Sequence, residues 1–329
     1  MMSDRHTRLR IFTAAAALAV FLLALAVLAA CGSASGASSS ASPVAAVTGP
    51  VTVTDDSGHQ VTLAKPAVRV VSLAPANTEI AFALGAGAKL VAGTSYDDYP
   101  AAAKALPKIG DFQSPSVEKI VSFKPDLVLA AGGIQASLRA KLENLGVKVF
   151  VVDPSTLDGV YADLTALGQL MGVSDKATTV VAAMKQRAAA IEQKVTGLAK
   201  PTVFVEIYSK PLMTAGTNTF IDNLVGLAGG TNVGSAAGSG YPSFSSEVLF
   251  KDNPDVYIAT TGSMASPGQI AKRSGYSALK AVKDGRVYVI EDNLLVRPGP
   301  RLVDGLEQLA QMIHPEVFGS PSPAASTTP

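Results

Sequence analysis

Two carboxylates stand at matching places in a motif that the chain carries twice. Ser116-Val-Glu118-Lys-Ile-Val-Ser-Phe-Lys-Pro125-Asp126-Leu-Val-Leu-Ala130 recurs as Ser245-Ser-Glu247-Val-Leu-Phe-Lys-Asp-Asn-Pro254-Asp255-Val-Tyr-Ile-Ala259, at an offset of 129 residues. Each copy reads as a Ser N-cap, a short helix with Glu in its first turn, and a Pro-Asp turn into a buried strand. The helix macrodipole favours an acid in that turn, which accounts for one copy taken alone. Two copies in equal register imply two similar lobes, each offering a carboxylate at the same place. That is the geometry of a clamp or a two-point dock.

A second reactive group is Cys31, the only cysteine of the 329 residues. Arg5, Arg8 and Arg10 precede an apolar run over residues 11–30 that ends Leu28-Ala29-Ala30. A basic start, an apolar stretch and small residues before the cut describe a secretory signal. A run this long also suits an uncleaved anchor helix. Leucine and two small residues immediately before a cysteine favour lipoprotein processing, in which the Cys31 thiol carries a diacylglycerol and the new N-terminus an acyl chain. Two such groups suffice for stable anchoring. A lone cysteine also excludes a disulfide framework.

Other chemistries lack their residues. Past the leader the histidines are His59 and His314, too few and too far apart in sequence for a dedicated zinc or manganese site. There is no Gly-x-x-x-x-Gly-Lys-Ser/Thr for nucleotide phosphates and no Gly-x-Ser-x-Gly elbow. Adjacent Asp97 and Asp98 do not make an acid-base pair by adjacency alone. A net charge of +1 gives no basic patch for nucleic acid. The expectation is a binding protein, not an enzyme, with no covalent cofactor and no resident metal.

The elements that must hold these residues follow from composition and periodicity. Residues 1–30 are read as signal peptide, 31–50 as the lipidated Cys31 and a flexible Ser/Ala/Gly tether, and 320–329 as an unstructured tail. Between them lie about 270 residues, enough for two domains. Residues 51–54 and 60–63 read as a hairpin. Short buried strands near 69–73, 90–93, 127–130 and 147–152 alternate with helical segments, and a second set falls near 202–208, 256–260 and 287–290. This alternation predicts α/β architecture: two Rossmann-like lobes, residues 51–173 and 198–319, each a mainly parallel sheet flanked by helices. Residues 174–197 contain no Pro and only one Gly, at the end, and are rich in Ala, Lys and Gln. They predict one long α-helix, roughly 30 Å, bridging the lobes. Glu79, near a predicted helix start, reads as a cap or dipole residue, and the last helix runs from about residue 300 to 313.

With those stretches in view the chain resembles the helix-linked substrate-binding proteins of ABC importers, of the metal-chelate type, and within them the vitamin B12 (cobalamin) binders. The matching segments are Ala74-Pro-Ala-Asn-Thr-Glu-Ile-Ala-Phe82, Thr94-Ser-Tyr96-Asp-Asp-Tyr99-Pro100, Leu145-Gly-Val-Lys-Val-Phe-Val-Val-Asp153, Ala228-Gly-Gly-Thr-Asn232, Tyr241-Pro-Ser-Phe-Ser-Ser-Glu247 and Arg297-Pro-Gly-Pro-Arg301, besides the repeat itself. The resemblance implies an extracytoplasmic, membrane-anchored lipoprotein, monomeric, that captures a corrinoid between its lobes and delivers it to a permease dimer. Glu118 and Glu247 fall on the carboxylates that meet permease arginines in the family.

By the same resemblance the ligand contacts fall on Tyr96, Phe112, Tyr241, Asn293 and Arg297. Phe112 and Tyr241 stand where the cobalamin binders carry tryptophans, Ala131 stands at a third such position, and Asn293 replaces an aspartate. Flat aromatic faces would grip a corrin by apolar stacking. Arg297 and Arg301, bracketing Pro-Gly-Pro, would suit the acids of a siderophore or the propionates of haem. A ferric siderophore or haem is therefore the alternative ligand.

Overall fold

The computed structural model describes residues 49–319. Cys31, the signal segment, nearly all of the tether and the 320–329 tail lie outside the described residues. No helix among the described residues is long and apolar enough to cross a membrane.

The chain enters through the hairpin β1 (Val51–Thr54) and β2 (Gln60–Leu63), antiparallel in direct register from Val51 opposite Leu63 to Thr54 opposite Gln60. Its alternation is strict, so Val51, Val53, Val61 and Leu63 are buried while Thr52, Thr54, Gln60 and Thr62 face out. Asp55 closes the turn by accepting from the Ser57 and His59 amides at 3.1 and 3.0 Å. Its other oxygen accepts from the Val151 amide at 3.1 Å and from Arg139 at 2.7 Å, which pins the hairpin to the body. Burial would raise the Asp55 pKa, but these donors and the Arg139 charge outweigh it and hold the carboxyl below its usual value.

The first sheet is fully parallel, in the order β4 (Leu90–Ala92), β3 (Val70–Ser72), β5 (Leu127–Ala131), β6 (Val149–Val152). Its central strands are apolar on both faces because helices cover both, as a doubly wound sheet requires. The second sheet runs β11 (Val287–Ile290), β10 (Val256–Thr260), β7 (Thr202–Ser209), all parallel. Two short strands absent from the sequence expectation complete it: β8 (Leu212–Thr214), antiparallel to β7, and β9 (Thr231–Asn232), parallel to its start.

The repeated motif forms matching units in the two sheets. Ser116 caps the helix Val117–Ser122 by accepting from the Lys119 amide, and Ser245 caps Ser246–Asp252 by accepting from the Glu247 amide. The repeated aspartates do matching work. Asp126 accepts from the Val68 and Arg69 amides at 3.0 and 2.9 Å, just before β3. Asp255 accepts from the Thr202 amide and hydroxyl at 2.9 Å, at the start of β7. Each thus ties the entry of one sheet strand to the entry of its neighbour.

The chain crosses between the sheets once, by the 22-residue helix Ser174–Val195. It is not a free rod. It buries Ala177, Met184, Ala188 and Ile191 within an apolar cluster that also takes in the helices Leu157–Leu170, Phe220–Leu227 and Leu302–Ile313, and Val195 is buried at its end. Arg187 adds ion pairs to Asp304 and Glu307 of the last helix, both at 2.8 Å. The amphipathic pattern explains the difference from a bare bridge: a helix with one apolar face must bury it.

Candidate functional site: an interlobe cleft

A cleft of about 760 Å³ opens between the carboxyl ends of the two sheets, where α/β folds of this kind place ligands. Three helix starts border it. Ala74 to Asn77 open the helix Pro75–Ala83, Ser155 precedes Leu157–Leu170, and Asn218 to Phe220 open Phe220–Leu227. Thr156 and Thr219 cap the latter two helices, whereas Ala74 supplies no side-chain cap, leaving the first amides of its helix available to an acceptor.

Tyr96, Phe112, Tyr241 and Arg297 all line the cleft, with Ala131 at the end of β5. Tyr96 and Tyr241 are well exposed and Phe112 is half-buried. Asn293 is not among the lining residues; it begins the short helix Asn293–Val296, and its amide donates to Glu291 at 3.2 Å. Glu118 and Glu247 are exposed in the first turns of their helices, away from the cleft lining, and neither enters an ion pair among the described residues.

The aromatic residues sit on loops held from behind. Asp97, almost fully buried, accepts from the Thr94 amide at 3.0 Å, the Thr94 hydroxyl at 2.6 Å and the Thr78 hydroxyl at 2.8 Å. It thereby anchors the loop that carries Tyr96. Buried Gln135 donates to the Leu73 and Phe112 carbonyls at 2.8 Å and accepts from the Ala131 amide at 2.8 Å. One side chain thus staples three cleft-lining segments. Opposite, Gly216 hydrogen-bonds the Gly240 carbonyl at 2.8 Å beside Tyr241. A Cβ at Gly216 would stand 2.0 Å from the Gly238 carbonyl oxygen, so only glycine permits this approach. Asn77 also lines the cleft, and its Nδ2 finds no protein acceptor.

The arginines are committed. Arg297 donates to Glu79 at 2.8 Å and to Asp98 at 2.6 Å, and Arg301 grips both oxygens of Glu79 at 2.8 and 2.7 Å. Arg301 also stacks over the Tyr99 ring, 4.1 Å from its centroid. Glu79 keeps 4 % of its side chain exposed and lies beyond the first turn of its helix. The expectation of a cap or dipole residue is corrected: Glu79 is a buried acceptor joining the first lobe to the second. Burial acts to raise the Asp98 pKa, but the hydrogen bond and charge of Arg297, with Arg301 behind, outweigh it and hold Asp98 low. Asp111 and Asp153 are the other charged lining residues, and burial followed by the Asp56 charge pushes Asp153 up.

Sequence reasoning missed Asn77, Gln135 and the Glu79–Arg297–Asp98–Arg301 group. The available signal was the pairing of Thr78-Glu79 with Arg297-Pro-Gly-Pro-Arg301 among the resembling stretches. The fully buried Glu206, which accepts from Tyr257 and Arg273, lies in the second lobe's core and does not line the cleft. Among the described residues no cluster of three or more His, Cys, Asp and Glu could hold a metal.

Known proteins share this architecture. Residues 70–294 match the family described as Periplasmic binding protein, and the chain belongs to that family. It is a substrate-binding protein of the ABC-transporter type, a class that binds and delivers without turnover. An uncharacterized ABC transporter substrate-binding lipoprotein of Bacillus subtilis, YvrC, is 36 % identical over 308 residues, covering 91 % of this chain and 97 % of that one. The vitamin B12-binding protein of Vibrio campbellii is 28 % identical over 75 % of this chain and 89 % of its own.

Among solved structures, the vitamin B12-binding protein BtuF of Vibrio cholerae superposes with a TM-score of 0.69 at 30 % identity, covering 75 % of this chain and 97 % of that one. The haem-binding protein RhuT of Roseiflexus gives 0.67 at 27 %, over 75 % and 97 %. A protein of an Fe3+-hydroxamate transport system from Saccharomonospora viridis gives 0.64 at 27 %, over 82 % and 99 %.

Proposed function

We propose that the protein is a lipid-anchored, extracytoplasmic receptor that captures a corrinoid in the interlobe cleft and hands it to an ABC permease. The observation that carries the ligand is the lining of the cleft. Aromatic rings come from both lobes, Tyr96 and Phe112 from the first and Tyr241 from the second. Such faces stack on a flat macrocycle, and each large aromatic contributes much contact area at low entropic cost. The volume of about 760 Å³ lies toward the upper end of small-molecule sites. Helix-start amides, Asn77, Asp111 and Asp153 supply both donors and acceptors for peripheral carboxamides. Vitamin B12 binders among both the relatives and the solved structures support the same ligand.

Binding on this reading is reversible, with no bond made or broken in the ligand. Delivery is assigned to Glu118 and Glu247. Exposed carboxylates form individually weak pairs, so two of them orient and speed docking while permitting release. Cys31 is assigned to the lipid anchor; Cys31→Ala should abolish labelling by radioactive palmitate and leave the signal segment uncleaved, read as a larger apparent mass.

A ferric siderophore or haem is the second reading, favoured by the presence of Arg297 on the cleft and by the haem and Fe3+-hydroxamate proteins among the structural neighbours. Calorimetric titration of the purified chain with cyanocobalamin, a neutral ferric trihydroxamate and haemin separates them. One-to-one binding of cyanocobalamin alone supports the corrinoid. Binding only of an iron chelate rejects it in favour of the second reading.

A further inference from the structure

Arg297, on the cleft lining, and Arg301, which shares its Glu79 partner, belong to an ion-paired group that spans the lobes. Glu79 and Asp98 come from the first lobe, Arg297 and Arg301 from the second, separated by 199 to 222 residues in sequence. Among the described residues Arg297 is the one cation on the cleft lining, which also carries two acids, Asp111 and Asp153. Both guanidinium groups are mostly buried, with 16 % and 17 % of their side chains exposed, and their forks point into carboxylates. A bidentate arginine-carboxylate pair of this kind is among the strongest charged contacts in proteins and is not readily surrendered to an incoming anion. An anionic ligand would therefore enter a cleft whose acids are unopposed.

We propose that Glu79 and Asp98 set the charge class of the cargo: by engaging Arg297 and Arg301 they leave the cleft no free cation among the described residues, so that it accepts an uncharged, carboxamide-bearing chelate and rejects a polyanionic one. This rests on the reading of the cleft as the cargo site and adds a selection rule to it. Glu79 and Asp98 act through the arginines and are specificity-positioning residues. They are not themselves among the residues that line the cleft.

The test uses the full chain in detergent, with Asp98→Asn and Glu79→Gln variants titrated against cyanocobalamin, a monocarboxylate made from it by hydrolysis of one side-chain amide, and haemin. Asp98 is half exposed, with 53 % of its side chain open, so Asp98→Asn reads out even where the buried Glu79 proves necessary for folding. Expected is a gain of about tenfold in affinity for the monocarboxylate and for haemin relative to cyanocobalamin, as for one charged contact made available. A merely structural role would move all three affinities by the same factor, and that result overturns the proposal. Haemin held more tightly by the parent than by either variant also overturns it. If cyanocobalamin binds nowhere, the corrinoid reading falls, and the parent-against-variant haemin comparison alone decides the selection rule.

Discussion

Tyr96 and Tyr241 leave 60 % and 41 % of their surface open while lining the cleft from opposite lobes. A ring held rigid at its backbone and bare on its face costs little to order when a flat ligand arrives. Tyr96→Ala or Tyr241→Ala should each weaken corrinoid binding by about 1–3 kcal/mol in calorimetry; unchanged affinity in both would move the cargo elsewhere. Asp163 illustrates the opposite condition. It is 3 % exposed, its Oδ2 has no partner, and burial, then the charge of Asp56, pushes its pKa up to about 9. A carboxyl whose folded pKa lies above the unfolded value stabilises fully below about pH 4 and loses that contribution as pH rises toward 9. Asp163→Asn should therefore be more stable than the parent by about 1–3 kcal/mol at pH 8, with the gap closing toward pH 5, in urea titrations at both pH values. A variant less stable at pH 8 would mean that the carboxylate is ionised and paired.

At the scale of elements, the repeat joins what is exposed to what is structural. Glu118 and Glu247 sit on first turns whose caps are Ser116 and Ser245, and the aspartates that follow clamp the strand entries. Removing either aspartate strands two donors, the Val68 and Arg69 amides or the Thr202 amide and hydroxyl. Asp126→Ala and Asp255→Ala should each cost about 1–3 kcal/mol of stability, measured by chemical unfolding; a loss below the error of the measurement would mean that water replaces the carboxylate. The strands of both sheets were legible because runs such as Leu127–Ala131 and Val256–Thr260 are continuously apolar between turn residues. β8 and β9 were not. Three and two residues long, they carry no period, and their pairing with β7 comes from tertiary contact.

For the whole molecule, two lobes on one packed helical layer place Glu118 and Glu247 on separate halves with the cleft between. The double change Glu118→Ala with Glu247→Ala should abolish uptake in cells while leaving titrated ligand affinity intact, since neither residue lines the cleft. Uptake at the parental rate would remove the docking assignment, and lost binding would put these carboxylates in the cargo site. The interface between lobes is more than a hinge. The apolar cluster is continuous from β1 to the last helix, and Asn223 accepts from the Leu157 amide at 3.0 Å across it. Relative motion of the lobes must therefore be small sliding or twisting of packed helices rather than free swinging.

What the sequence by itself determined is whatever rests on local pattern. The α/β alternation, the single long crossing helix, the duplicated motif and the loops bearing Tyr96, Phe112, Tyr241 and Arg297 are all read within windows of a few residues. Spacing, capping and periodicity act over that range. Only the tertiary structure decided what those side chains meet. Asn293 is not among the cleft-lining residues, and its side-chain amide donates to Glu291 instead. Glu79, which resembles a dipole residue in isolation, becomes a buried acceptor because Arg297 and Arg301 arrive from more than 200 residues away. Arginines that read as an anion grip are neutralised by the same contact. Charge partners are set by proximity in space, and a one-dimensional pattern records a charge without its partner.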